Sequence, residues 1–182
     1  VIESLQNSER PILWLGHGIR LAGAHNKIPK LLEVLNIPSL VSWAGIDMID
    51  ADHPLVYGRA GVYGQRCANF VLQNSDYVLS IGTRLAIPQI AYNTTDLARD
   101  AIIDVVDIDP TEASKLKPRV RESIVCDAGV FIDALIARAI DLNLNNSKWI
   151  EICNNYKEQF PWVSDEHEDK DGFINSYPFM QV

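Results

Sequence analysis

Three glycine-containing loops carry the residue types best suited to close contact with a bulky or anionic ligand. They are residues 16–23, 58–66 and 82–85, which read GHGIRLAG, GRAGVYGQR and GTRL. Glycine has no Cβ, so it lets the backbone approach a ligand closely. The second loop has three glycines at three-residue spacing, which favours a ligand-facing or interface role. A tight turn after a strand explains the first loop equally well.

Polar residues in and after these loops extend the possible chemistry. Arg84 offers a planar guanidinium fork for a phosphate or carboxylate, with an ordinary surface arginine as the alternative. Asp107 ends a predicted strand, where an Asp often accepts a hydrogen bond from a ribose hydroxyl. Asp107 and Asp109 flank Ile108, and Asp109-Pro110 is also a helix-start signal.

Catalytic and metal-binding patterns are missing from the sequence. The four histidines are scattered, with no His-x-His or His-Glu-x-x-His spacing, and no serine lies in a Gly-x-Ser-x-Gly turn. The three cysteines are widely spaced, which predicts free thiols in a reducing cytoplasm: Cys67, Cys126 and Cys153. We predict no catalytic residue and no metal ligand.

Composition excludes several classes of protein. The chain has 182 residues and a formal net charge of −8, which argues against a nucleic-acid partner. Its apolar runs are too short to span a membrane. The first residues lack the basic and apolar regions of a signal peptide. We therefore expect a cytoplasmic protein with no membrane or nucleic-acid partner.

Alternating strands and helices are predicted to position the loops. The pattern predicts an α/β fold, with a doubly wound, mainly parallel sheet of about six strands and helices on both faces. Predicted strands include residues 11–15, 40–41, 77–81, 102–106 and 123–126. A helix over 67–74 is predicted to turn Phe70 and Val71 inward. In such a sheet the loops lie at the carboxyl ends of the strands, where ligands bind.

Two regions are predicted along the chain. Residues 1–145 form the α/β domain, and residues 146–182 form a helix followed by an acidic linker. The linker is predicted because residues 164–171 contain five acidic residues and one lysine. The glycines of residues 16–23 do not match the dinucleotide fingerprint Gly-x-Gly-x-x-Gly, because the third glycine arrives too late.

Taken in order, these motifs resemble the middle domain of the acetolactate synthase-like, thiamine-diphosphate-dependent enzymes. The resemblance covers about residues 10–135. It is carried by Arg10-Pro11 before the first glycine loop, LNIP at 35–38, DHP at 52–54, AN at 68–69, DYVLSIGTR at 76–84 and DIDP at 107–110.

The resemblance implies a three-domain parent in which this chain is the central domain. Thiamine diphosphate and magnesium would lie between the N- and C-terminal catalytic domains, which are not found here. The parent would decarboxylate 2-oxo acids and join carbon atoms, and it would be a homo-oligomer. The isolated central domain would be inactive.

The resemblance also implies a nucleotide site, because middle domains of this family bind FAD, ADP or nothing. In FAD-binding members the flavin nucleotide would lie along Gly16, His17, Gly18, Ser42, Gly45, Gly61, Gly64, Gly82, Thr83, Arg84, Asp107, Ile108, Asp127 and Ala128.

This sequence departs from the FAD-binding pattern in two places. Tyr63 replaces the histidine of a Gly-Met-His-Gly loop, and residues 85–89 read LAIPQ where the family has a Phe-Asp-Asp-Arg-type loop. Both changes lie where the flavin would run. Two alternatives stay open: a nucleotide-free scaffold domain, and a free-standing NAD-binding protein of sirtuin-like topology.

Overall fold

The protein forms a five-stranded, fully parallel sheet with the strand order β2-β1-β3-β4-β5. The computed structural model describes residues 1–117, 119–142 and 144–179. The last three residues of the predicted linker lie outside these ranges. The strands are β1 (Pro11–Leu15), β2 (Ser39–Val41), β3 (Tyr77–Ile81), β4 (Ile102–Asp107) and β5 (Glu122–Val125).

Continuous apolar runs form the central strands, as expected where both faces of a parallel sheet are covered. Every residue of β1 and of β3 is buried. The predicted α/β class and doubly wound sheet are confirmed. The sheet has five strands where about six were predicted. Residues 55–58 run beside β2 and share backbone hydrogen bonds with it, but only Val56 forms a bridge there, with Ser39.

Helices cover both faces of the sheet. Helices α1 (Ile2–Asn7), α3 (Ile28–Leu35) and α7 (Ala128–Ala139) bury apolar residues on one face. Helices α4 (Arg66–Asn74), α6 (Pro110–Ser114) and α8 (Ser147–Gln159) do so on the other. The short helices α2 (Gly18–Leu21), α5 (Ile87–Ile90) and α9 (Ser176–Phe179) lie in connecting segments. None of the helices in these described segments is long and apolar enough to cross a bilayer.

Local signals in the sequence end and begin several of these helices. Helix α3 ends at Asn36, which has left-handed backbone angles, and Pro38 follows two residues later. Asp109 and Asp127 cap α6 and α7 through their side chains. The prediction for α4 is half right: Val71 is buried, but Phe70 is 39% exposed and stacks on Phe160, with 4.7 Å between the ring centroids.

Helix α8 is packed into the same layer as α4. Its residues Trp149 and Cys153 are buried, and the indole Nε1 of Trp149 donates a hydrogen bond of 3.1 Å to the Pro11 carbonyl. The start of α8 is therefore tied to the first residue of β1.

A buried polar network closes the amino-terminal end of the sheet. The fully buried Asp104 accepts a hydrogen bond of 2.8 Å from the Tyr77 hydroxyl and one of 3.0 Å from Nε of Arg121. Arg121 also donates to the Ser4 hydroxyl at 2.8 Å, which ties α1 to this network. Burial and the neighbouring carboxylate raise the pKa of Tyr77 above its ordinary value.

The carboxyl end of the sheet contains a topological switch point between β1 and β3. The chain leaves β1 towards β2 on one side, and later returns to place β3 on the other side. Leu15 pairs with Ile81, so the two strands end at the same level and their following loops meet. Open α/β sheets bind their ligands at such a point.

Candidate nucleotide-binding site

Direct backbone contact joins the loops that follow β1 and β3. The Gly16 amide donates to the Ile81 carbonyl and the Gly18 amide to the Gly82 carbonyl, each at 2.9 Å. A Cβ at Gly16 would stand 2.1 Å from the Gly82 carbonyl oxygen, and one at Gly18 would stand 2.8 Å from the Gly82 Cα. These glycines are explained by loop-to-loop packing, and their amides are not available to a ligand.

A cleft of about 140 Å³ opens beside this contact. Six of the fourteen residues predicted for the cofactor line it: Gly18, Gly82, Asp107, Ile108, Asp127 and Ala128. They come from loops at the carboxyl ends of four strands, which are far apart in the sequence. The other lining residues are Leu21, Ala22, Val106 and Cys126.

Two carboxylates give this cleft its polar character. Asp107 Oδ1 accepts from the Asp109 amide at 3.1 Å, and Asp127 Oδ1 accepts from the Gly129 amide at 2.8 Å. Within the described ranges, the Oδ2 atom of each carboxylate has no hydrogen-bond partner. No basic residue of the described ranges lines the cleft. It therefore suits hydroxyl groups better than phosphate.

The loop after β3 carries a group of hydrogen-bond donors. Arg84 and Leu85 have left-handed backbone angles, with φ of 62° and 43°, which is unusual for residues other than glycine. The Arg84 side chain is largely exposed, and its Nε donates to Glu112 Oε1 at 2.9 Å. Hydrogen bonds from Lys115, and secondarily from Arg84, hold the pKa of Glu112 below its ordinary value.

Backbone amides in the loops after β1 and β3 add further donors, and together with the Arg84 guanidinium they form a candidate anion site. Thr83 is buried, and its hydroxyl is 2.6 Å from that of Ser80. In the part of the chain that the structure describes, the amides of His17, Thr83 and Arg84 make no hydrogen bond. Successive free amides in a loop with left-handed residues can form an anion-binding concavity.

The loop after β2 adjoins the loop after β1. A Cβ at Gly45 would be 3.3 Å from the Ser42 hydroxyl oxygen and 3.5 Å from the His17 amide nitrogen. Ser42 Oγ and His17 Nδ1 are buried and have no hydrogen-bond partner among the described residues. Buried polar atoms are usually satisfied, so this pair indicates a place for a ligand or water.

The glycines of residues 58–66 have packing explanations. A Cβ at Gly61 would be 2.3 Å from the Pro88 carbonyl oxygen, and one at Gly64 would be 2.5 Å from the Arg59 carbonyl oxygen. The Val62 amide donates to the Pro88 carbonyl at 2.8 Å. The two segments that depart from the FAD-binding pattern are thus bonded to each other. Tyr63 itself is 75% exposed.

Cys126 is a cleft residue that the glycine motifs did not indicate. It follows β5 and is partly exposed, whereas Cys67 and Cys153 are buried. Burial raises the pKa of Cys67 to about 11 and raises that of Cys153 as well. In the described parts of the chain, no three His, Cys, Asp or Glu residues are placed to hold a metal ion.

The family model for the central domain of thiamine pyrophosphate enzymes matches residues 1–135. The chain belongs to this family. Its relatives include the probable acetolactate synthase large subunit of Methanococcus aeolicus, 34% identical over 168 residues. The isozyme 2 large subunit of acetolactate synthase from Escherichia coli K12 is 27% identical over 167 residues.

This thiamine pyrophosphate enzyme central domain spans only part of those relatives. The alignments cover 86% and 92% of this chain but 28% and 29% of the two relatives. A third relative, the probable large subunit of Methanocaldococcus jannaschii, is 31% identical over 81% of this chain and 25% of its own length.

The Gly16–Gly82 contact gives a test of how the site is built. Gly16→Ala should lower the free energy of unfolding by about 3 kcal/mol, because its Cβ meets rigid backbone. Gly23→Ala is the control: Gly23 has φ of 68° and open space around it. Backbone strain alone should cost it about 1 kcal/mol. Urea unfolding measures both. Equal losses would show that loop packing does not require Gly16.

Proposed function

We propose that this central domain binds the adenosine diphosphate part of FAD, or ADP itself, at the carboxyl end of the sheet. The observation that carries the proposal is the cleft at the switch point, where Asp107 and Asp127 each keep one carboxylate oxygen without a partner among the described residues. Nucleotides are bound at this position in other doubly wound folds.

The carboxylates of the cleft and the N–H donors of the neighbouring loops suit different parts of a nucleotide. Asp107 and Asp127 would accept hydrogen bonds from ribose hydroxyls. The free amides of His17, Thr83 and Arg84, together with the Arg84 guanidinium, would face the diphosphate. His17 Nδ1 and Ser42 Oγ offer further hydrogen-bonding atoms that no described residue satisfies. The flavin, when bound, would supply its own redox chemistry.

ADP suits this chain better than FAD. The loops that would run beside the flavin are bonded to each other through Val62 and Pro88. Helix α5 is packed against Gly61, whose position leaves no room even for a Cβ. We therefore propose that the adenosine end is retained and that the flavin end is not.

The parent enzyme is proposed to be a thiamine-diphosphate-dependent carboligase acting on 2-oxo acids. This proposal rests on the acetolactate synthase large subunits among the relatives and on the share of their length that this chain spans. Thiamine diphosphate and magnesium would bind in N- and C-terminal domains of the same chain. We further propose a homo-oligomeric parent in the cytoplasm. The family match disfavours a free-standing sirtuin-like NAD-binding protein.

Substitution of one carboxylate tests the ribose contact. Asp107→Asn should weaken ADP binding about tenfold, since a charged acceptor becomes neutral. Asp109→Asn is the matched control, because Asp109 caps α6 and does not line the cleft. Isothermal titration calorimetry with ADP, FAD and NAD measures the affinities. Equal effects of the two variants would contradict the proposed ribose site. If the unsubstituted chain binds none of the three nucleotides, the domain is a nucleotide-free scaffold.

Cys126 reports whether the nucleotide occupies this cleft. At pH 8, a thiol with a pKa of about 11, such as Cys67, is ionised in about one molecule in a thousand. A thiol reagent should therefore modify Cys126 first in the folded protein. ADP at about ten times its dissociation constant should slow that reaction roughly tenfold. An unchanged rate with ADP bound would place the nucleotide elsewhere.

Activity measurements test the proposed inactivity of the isolated chain. With a 2-oxo acid, thiamine diphosphate and Mg²⁺, the chain should release no carbon dioxide above the protein-free rate. The thiamine ylid needs groups that we assign to other domains. Turnover by this chain alone would overturn that assignment.

A further inference from the structure

A second depression lies outside the nucleotide cleft and shares no lining residue with it. This aromatic groove, of about 510 Å³, lies between residues 58–66 and the segment after α8. Its size falls within the usual range for small-molecule sites, roughly 300–1,000 Å³. Its aromatic residues are Trp43, Tyr63, Phe160, Trp162 and Tyr177.

The charge of the aromatic groove is opposite to that of the chain. The sequence has 24 acidic residues and 16 Lys and Arg residues, yet Arg59 and Arg66 line the groove and none of the described Asp and Glu residues does. Neither arginine forms a salt bridge within the described segments. His167 also lines the groove, and its ring stacks on that of Tyr177.

Aromatic rings hold the two guanidinium groups in place. Arg59 lies over the Trp43 ring at 5.3 Å from its centroid, and Arg66 lies over the Phe160 ring at 4.5 Å. Such stacking orients a guanidinium without using its hydrogen-bond donors. The Nε atom of Arg59 is buried and has no acceptor in the parts of the chain described.

We propose that the aromatic groove binds an aromatic phosphate monoester. Two guanidinium groups that have no carboxylate partner among the described residues match the charge of one phosphate dianion, and N–H donors of guanidinium bind phosphate oxygens well. The exposed rings of Tyr63 and Tyr177 offer flat surfaces on which an aromatic ring can stack. The ligand would thus be recognised at both its charged and its planar end.

Fluorescence titration with 1-naphthyl phosphate tests the proposal on the whole chain. The ester should bind at least about tenfold more tightly than either of two partial ligands. These are 1-naphthol, which lacks the dianion, and inorganic phosphate, which lacks the ring. Arg59→Gln and Arg66→Gln should each weaken binding about tenfold. Arg138→Gln is the matched control, because it removes the same charge from an exposed position on α7, which packs on the opposite face of the sheet.

The outcomes separate this site from the nucleotide cleft. Circular dichroism and thermal unfolding should show the same fold in all the arginine variants, since neither groove arginine makes a salt bridge with a described residue. Asp107→Asn should leave the affinity for 1-naphthyl phosphate unchanged, whatever it does to ADP. Equal binding of 1-naphthol, an equal loss in Arg138→Gln, or a loss in Asp107→Asn would overturn the proposal.

Discussion

Contact between the backbones of two loops, at Gly16, Gly18 and Gly82, is the constraint on which the candidate site depends. It sets the distance between the ends of β1 and β3, because no side chain fits between them. The cleft opens beside this contact, and its carboxylates come from the next strands of the same sheet. A small shift at the switch point would therefore move the loops after β1 and β3 relative to these carboxylates.

The fold could be predicted because its local signals agree. Apolar runs of five or six residues indicate buried parallel strands. Asn36 marks the end of α3 because it adopts left-handed backbone angles, and Asp109 marks the start of α6 because its side chain caps the helix. The number of strands was harder to predict, since residues 55–58 pair with only one neighbour. Phe70 could not be placed because its exposure depends on α8, which follows about 80 residues later.

The candidate site was predictable in its loops but not in the role of each residue. Glycine motifs indicate close approach, yet the sequence does not tell whether a ligand or another loop approaches. For Gly16 the neighbour is Gly82, and for Gly61 it is Pro88, both distant in the sequence. Cys126 and the aromatic groove carry no motif, because they are defined only by the meeting of separate segments.

The two ends of the sheet differ in how well their polar groups are satisfied. At the amino end, the buried carboxylate of Asp104 accepts hydrogen bonds from both Tyr77 and Arg121. At the carboxyl end, His17 and Ser42 keep side-chain atoms that no described residue satisfies, and Arg84 and Leu85 hold left-handed angles. The backbone of this end is nevertheless held by the hydrogen bonds of Gly16 and Gly18. A ligand would therefore meet a fixed backbone and complete hydrogen bonds that the described side chains leave open.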